Sequence, residues 1–246
     1  MNQTNYLNLL SQRANYSQSS QSVNGYEWVA HKMPLDTLYE KNQAMMGRVV
    51  NLALQLEIPV GNWISEAIKK NLVDDPVAKK LLLSNVGDET VHYKAFENLY
   101  HQYINKKDDE AVQLGKQWVD NKEHPVLKSF VAENGVFLIT LTLMRLIEEN
   151  ESVFTVCVNV SKDEIRHIHT NRQVLEDLNY SFISPSLDKL RKDTVSYLVN
   201  GIPQKRKFEQ ASDDLMSTGR SKFLSRLTTV ASELSPFESP NNALGY

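Results

Sequence analysis

Asp163-Glu164-Ile165-Arg166-His167 decides how this chain is read, together with its echo Asp88-Glu89-Thr90-Val91-His92. Each stretch holds a Glu-x-x-His pair, and each lies inside a long pattern of helical period. Residues three apart on a helix share a face, so the carboxylate and imidazole of each pair can grip one metal ion. One such pair is common by chance. Two pairs, each preceded by Asp and separated by enough chain for a helical hairpin, point to a site shared between two helices.

The surrounding sequence predicts an all-α protein. The 246 residues include only 9 Gly and 8 Pro, and the prolines fall mostly between periodic segments. The length suits one large domain with a substantial core. A flexible N-terminal arm is expected over residues 1–25, a helical domain over 26–234 and a loose tail over 235–246. The net charge of −3 and a pI near 6.1 leave no nucleic-acid footprint. The run Lys205-Arg206-Lys207 reads as a solvated helix terminus. The single Cys157, inside Val156-Cys157-Val158, reads as a buried small hydrophobe and fits a reducing compartment. No stretch is apolar for long enough to span a bilayer, and residues 1–25 lack a signal-peptide core, so a cytoplasmic protein is expected.

In chain order, a first helix is expected from about Leu35 to Glu57, ended by Pro59 and Gly61, and then a short one from Asn62 to Asn71. Asp74-Asp75-Pro76 starts the helix of Glu89 and His92, which should run to about Ile104. A helix from Glu110 to Asn121 follows. His124-Pro125 opens an apolar helix to about Asn150, and a helix over 152–178 carries Glu164 and His167. Ser184-Pro185 caps another, and a last helix is expected over 212–234.

A metal pair held by Glu-x-x-His helices needs further carboxylates. Glu133 is the third, because a Glu flanked by Val131, Ala132, Val136 and Phe137 is costly to bury unpaired. The fourth comes from the first helix. Glu57 is preferred over Glu40, with Glu66 the alternative. The set is then Glu57, Glu89, His92, Glu133, Glu164 and His167. Four carboxylates and two imidazoles are hard donors that suit two Fe, or one Mn and one Fe, and their charge of −4 matches two divalent ions. His31, His101, His124 and His169 read as surface, helix-end or packing residues. Gly135, Thr140 and Thr142 are candidates for lining a substrate channel, although helix contacts explain them equally.

These residues resemble the ferritin-like superfamily, whose dimetal sites sit in the core of a four-helix bundle, here with extra peripheral helices. Within it they resemble the radical-generating small subunit of class I ribonucleotide reductase. The resemblance covers roughly residues 28–180. It rests on Asp163 before the second Glu-x-x-His, on the Glu57–Glu89 and Glu133–Glu164 intervals, on Pro76 and on Phe137. It implies an oxidoreductase that activates molecular oxygen and generates a one-electron oxidant for deoxyribonucleotide synthesis. It also implies a homodimer and a large catalytic reductase subunit as partner. Asp163 and Trp28 would carry the electron, and Phe96, Phe137, Leu141 and Val160 would line a dry radical pocket. Phe96 stands where the family's radical Tyr is usual, a pattern that in one branch accompanies a manganese–iron centre. A stand-alone dimetal oxygenase acting on a small molecule is the alternative.

Overall fold

The computed structural model describes residues 40–147, 151–180, 183–201 and 205–217. Trp28, the expected arm over 1–25 and the expected tail over 235–246 lie outside the described residues. Within them the chain is all-α, with no strand.

Helix α1 spans Glu40–Lys69 and runs unbroken through Pro59 and Gly61, where the sequence suggested two helices. Packing explains the difference. Met45, Val49, Leu52, Leu56, Val60, Trp63, Ile64 and Ala67 form one buried stripe that continues past the proline. An interior proline costs a helix about 3 kcal/mol. Burying Val60 and Ile64 returns about 1.5–3 kcal/mol each, so continuing the helix wins. The helix stops at Asn71, whose φ of 53° closes a Schellman turn: Leu72 N donates to Ala67 O and Asn71 N to Ile68 O.

Helix α2, Pro76–Leu99, starts as its cap signal requires, with the Asp75 carboxylate accepting from Val77 N and Ala78 N. It continues as a π-helical turn, Tyr100–Ile104, ended by Asn105 at φ 46°. Helix α3, Asp109–Asp120, is capped by Asp108 and packs on α1. That approach needs Gly115, because a Cβ there would lie 2.7 Å from Gln55 Cβ. Helix α4, Pro125–Ala132, leads through a π-helical turn, Glu133–Phe137, into α5, Leu138–Ile147.

Helix α6 spans Glu151–Asp177 and α7 spans Pro185–Leu198, the latter capped by Ser184 Oγ on Leu187 N. Helix α8, Lys205–Ser217, starts earlier than expected and takes Lys205-Arg206-Lys207 as its first turn. Phe208, Ala211 and Ser212 are buried, which makes this stretch part of the core rather than a connection.

Four rods therefore meet: α1, α2, the α4–π–α5 rod and α6. Helix α1 packs along α2 and against α4, while α6 packs on α2, α4 and α5. Helices α3, α7 and α8 cover the outside. Cys157 is buried and in no disulfide, as expected. No helix among the described residues is long and apolar enough to cross a membrane.

Candidate metal centre

Each rod sends a carboxylate inward. Glu57 comes from α1, Glu89 and His92 from α2, Glu133 from the first position of the π turn, and Glu164 and His167 from α6. All six side chains are between 0 and 2 % exposed. Burial of so many ionisable groups without compensation is prohibitive, so their arrangement has to be read as a set.

The set divides in two. Ligand atoms of Glu57, Glu89, His92 and Glu164 lie within 4.8 Å of one another, as do those of Glu89, Glu133 and His167. In the first group His92 Nδ1 is 3.4 Å from Glu57 Oε2, 3.5 Å from Glu89 Oε2 and 3.5 Å from Glu164 Oε1. In the second, His167 Nδ1 is 3.0 Å from Glu89 Oε1, 3.7 Å from Glu164 Oε2 and 3.8 Å from Glu133 Oε1. Glu89 and Glu164 each offer one oxygen to either side, as bridging carboxylates do. Glu57 and Glu133 are terminal, one on each side.

The spacing fits metal ions. Donors bound about 2.0–2.2 Å from an ion, at tetrahedral to octahedral angles, are separated by about 2.8–3.6 Å. On the His167 side, Glu164 at 3.7 Å and Glu133 at 3.8 Å stand slightly back. Glu57 Oε1 and both Glu164 oxygens are buried with no hydrogen-bond partner. Such atoms cost about 1–3 kcal/mol or more each if left bare, and cations would satisfy them.

Outside the six lies a polar layer. His92 Nε2 is 3.1 Å from Asp163 Oδ2, and His167 Nε2 is 3.1 Å from Asp88 Oδ2. An Nε2–H donated to Asp leaves the Nδ1 lone pair facing inward, the tautomer a metal ligand needs. Arg166 Nη2 bonds Asp163 Oδ1 and lies 3.5 Å from Asp88 Oδ2. Glu133 has its own partners: Ser129 Oγ donates to Oε1 at 2.7 Å and Asn171 Nδ2 to Oε2 at 2.7 Å.

Electrostatics express the crowding. Burial pushes Glu57, Glu133 and Glu164 above the usual carboxylate range, and the charge of Glu89 adds to it in each. Burial acts the same way on Glu89, but the charge and hydrogen bonds of His167 and His92 outweigh it and hold the carboxyl at about 2. For His92, burial opposes charging, yet bonds to Asp163, Glu57 and Glu89 raise it well above the ordinary imidazole value. His167 is raised in the same sense, against burial, by Glu89 and Asp88. Metal ions would compete with protons for these donors.

The alternative carboxylate does not reach the cluster. Glu66 pairs with Lys70 at 2.5 Å, its side chain 44 % exposed. Phe96, Phe137, Leu141 and Val160 are all buried. Phe96 follows His92 by one turn, and Val160 precedes Glu164 by one turn. Gly135 sits at a close approach: a Cβ there would lie 2.6 Å from Arg191 Cδ. Thr140 and Thr142 donate to Val136 O and Leu138 O, one turn back in their own rod.

Sequence reasoning missed Ser129, Asn171 and Arg166, and gave Asp88 no role. Signals existed: Ser129 and Asn171 lie four residues from Glu133 and His167 on the ligand faces, and Asp88 stands where Asp163 stands in its motif. No family model, curated protein or solved structure matches the chain to a significant degree.

Proposed function

We propose that this chain holds two metal ions and activates molecular oxygen, as an oxidoreductase of the ferritin-like dimetal-carboxylate kind. The observation that carries this reading is the pair of buried donor groups that share Glu89, with Glu164 of the first group also placing an oxygen 3.7 Å from His167 of the second. Carboxylate and imidazole donors favour Fe or Mn, and the carboxylate charge of the four Glu offsets two divalent ions. A pair of redox-active ions held by these six residues would supply the electrons that oxygen needs, which carboxylates and imidazoles do not. The chain's own residues bind and orient. Phe96, Phe137 and Val160 each stand one helical turn from a ligand and, like Leu141, are buried, apolar bulk that would limit water around a reactive centre.

The narrower reading is a ribonucleotide reductase small-subunit-like protein, which would make a one-electron oxidant for a large catalytic subunit. The Asp163–His92 contact supports it as the inner end of an electron path, and Phe96 points to a mixed manganese–iron pair. The homodimer rests on the resemblance alone. A second reading, a stand-alone oxygenase acting on a small molecule, is favoured by one observation. Asp163 has a twin in Asp88, bonded to the other His at the same 3.1 Å, so an Asp–His contact here is not peculiar to a relay.

The test is to load the full chain anaerobically with Fe(II) and Mn(II) together, admit oxygen, and measure metal content and electron paramagnetic resonance on one sample. About two metals per chain with a coupled manganese–iron signal support the radical-storing reading. Two irons that consume oxygen without a stable radical shift the conclusion to an oxygenase. A folded chain that takes up no metal overturns the proposal.

A further inference from the structure

We propose that Arg166 is a single positioning residue for both metal positions: one guanidinium locks the two outer aspartates, and through them both ligand histidines. The inference rests on the dinuclear reading of the buried cluster. It starts from a crossed pairing. Asp88, on α2, bonds His167 of α6, and Asp163, on α6, bonds His92 of α2. Each aspartate sits beside a ligand Glu in sequence, but points about a hundred degrees round its helix and reaches the neighbouring rod.

Arg166 closes this crossing. Its Nη2 bonds Asp163 Oδ1, leaving Oδ2 for His92, and lies 3.5 Å from Asp88 Oδ2, the oxygen that meets His167. The aspartates and the arginine form one partly exposed layer over the buried histidines. The histidines are 0 % exposed, the Asp163 and Asp88 side chains 12 % and 25 %, and Arg166 20 %. The guanidinium is thus a lid charge between the cluster and water. It is a cation placed between two carboxylates that each bond a histidine of the cluster.

The physical consequence is a shared dependence. An aspartate in this position can turn toward solvent, which relieves repulsion from the glutamates and frees the imidazole to rotate. A cation that holds both aspartates removes that escape at both histidines at once. Losing one aspartate should then disturb one metal position, while losing the arginine should disturb two. A change in the hydrogen-bond partner of a ligand histidine costs about 10- to 100-fold in metal affinity. Lysine keeps the charge but not the length and rigid planar group by which Nη2 reaches both aspartates.

The experiment is an anaerobic Co(II) titration of the full chain, followed by the visible absorption of bound Co(II), with circular dichroism as the check on folding. Wild type is expected to bind two Co(II). Asp88→Asn and Asp163→Asn should each weaken one position by about 10- to 100-fold, and should differ in which spectral component they remove. Arg166→Gln and Arg166→Met should weaken both positions by a similar factor, and Arg166→Lys should fall between them and wild type at both. Where a neutral variant does not fold, the other and Arg166→Lys decide. Loss confined to one position, or wild-type binding at both in any folded Arg166 variant, overturns the inference. Failure of wild type to bind Co(II) instead overturns the metal reading itself.

Discussion

Asn171 donates from Nδ2 to Glu133 Oε2 at 2.7 Å, and so holds with a neutral amide a carboxylate that its counterpart Glu57 presents with Oε1 bare. The two metal positions are therefore not equivalent. On one side the terminal carboxylate is free to close on an ion. On the other it is tethered at both oxygens, by Asn171 and by Ser129.

Removing a tether should cost stability in the metal-free chain. Ser129→Ala and Asn171→Leu each leave a buried Glu133 oxygen without its donor, and each should destabilise by about 1–3 kcal/mol in urea unfolding. Saturating Mn(II) should shrink the difference, because an ion replaces the lost donor. Equal losses with and without metal would show that the tethers serve packing only.

Metal should stabilise the fold. A ligand that binds only the native state at 100 times its Kd adds about 2.7 kcal/mol, visible as a rise in Tm that a chelator reverses. Glu89→Gln should lose more of this increment than Glu57→Gln, since Glu89 offers an oxygen to each position and Glu57 to one. The readout is thermal unfolding with and without Mn(II). Equal losses would remove the bridging role of Glu89.

The relay role of Asp163 can be separated from its structural one. At saturating metal, Asp163→Asn and Asp88→Asn repair different histidines but the same kind of bond. If Asp163 carries an electron to a large reductase subunit, only its substitution should abolish turnover with that partner. Equal retention of turnover in both variants would dismiss the relay.

Acid should weaken the ion pairs of Asp188 within α7, which help hold Arg191 at the junction with α8. Burial alone would raise the Asp188 carboxyl, but hydrogen bonds from Lys192 and Arg191 outweigh it and hold it below the ordinary value. A carboxylate with a depressed folded pKa contributes stability that is complete above its unfolded value, about pH 4, and fades as pH falls through the folded one. Asp188→Asn should therefore narrow its stability gap to wild type as pH drops below about 4. Asp213 and Ser212 also bond Arg191, so the junction should loosen rather than separate. A gap that stays constant down to acid unfolding would contradict this.

Close helix approach should be intolerant at Gly115. A Cβ there meets Gln55 Cβ at 2.7 Å, an atom fixed by the α1 backbone, so Gly115→Ala should cost about 1–3 kcal/mol in denaturant unfolding. Gln55→Ala keeps that Cβ and should not rescue it. Rescue would mean that the outer side chain, not the backbone spacing, sets the contact.

What the sequence determined by itself is whatever lies within a turn or two of chain. Asp75 and Ser184 cap where their signals stand, because an N-cap involves residues two or three apart. The Glu-x-x-His pairs face one way for the same reason, and Glu133 was legible from its apolar neighbours. The continuation of α1 through Pro59 was not, since it depends on a buried stripe whose partners come from other rods. Nor was the fate of Glu66, which turns to Lys70 while Glu57 turns inward. The bridging geometry of Glu89 and Glu164, the crossed Asp88–His167 and Asp163–His92 bonds and the Asn171–Glu133 tether join residues on different helices. Helical period says which face a residue occupies. Only the packing of the rods decides what that face meets, because the energy of burying charge depends on its neighbours across the core rather than along the chain.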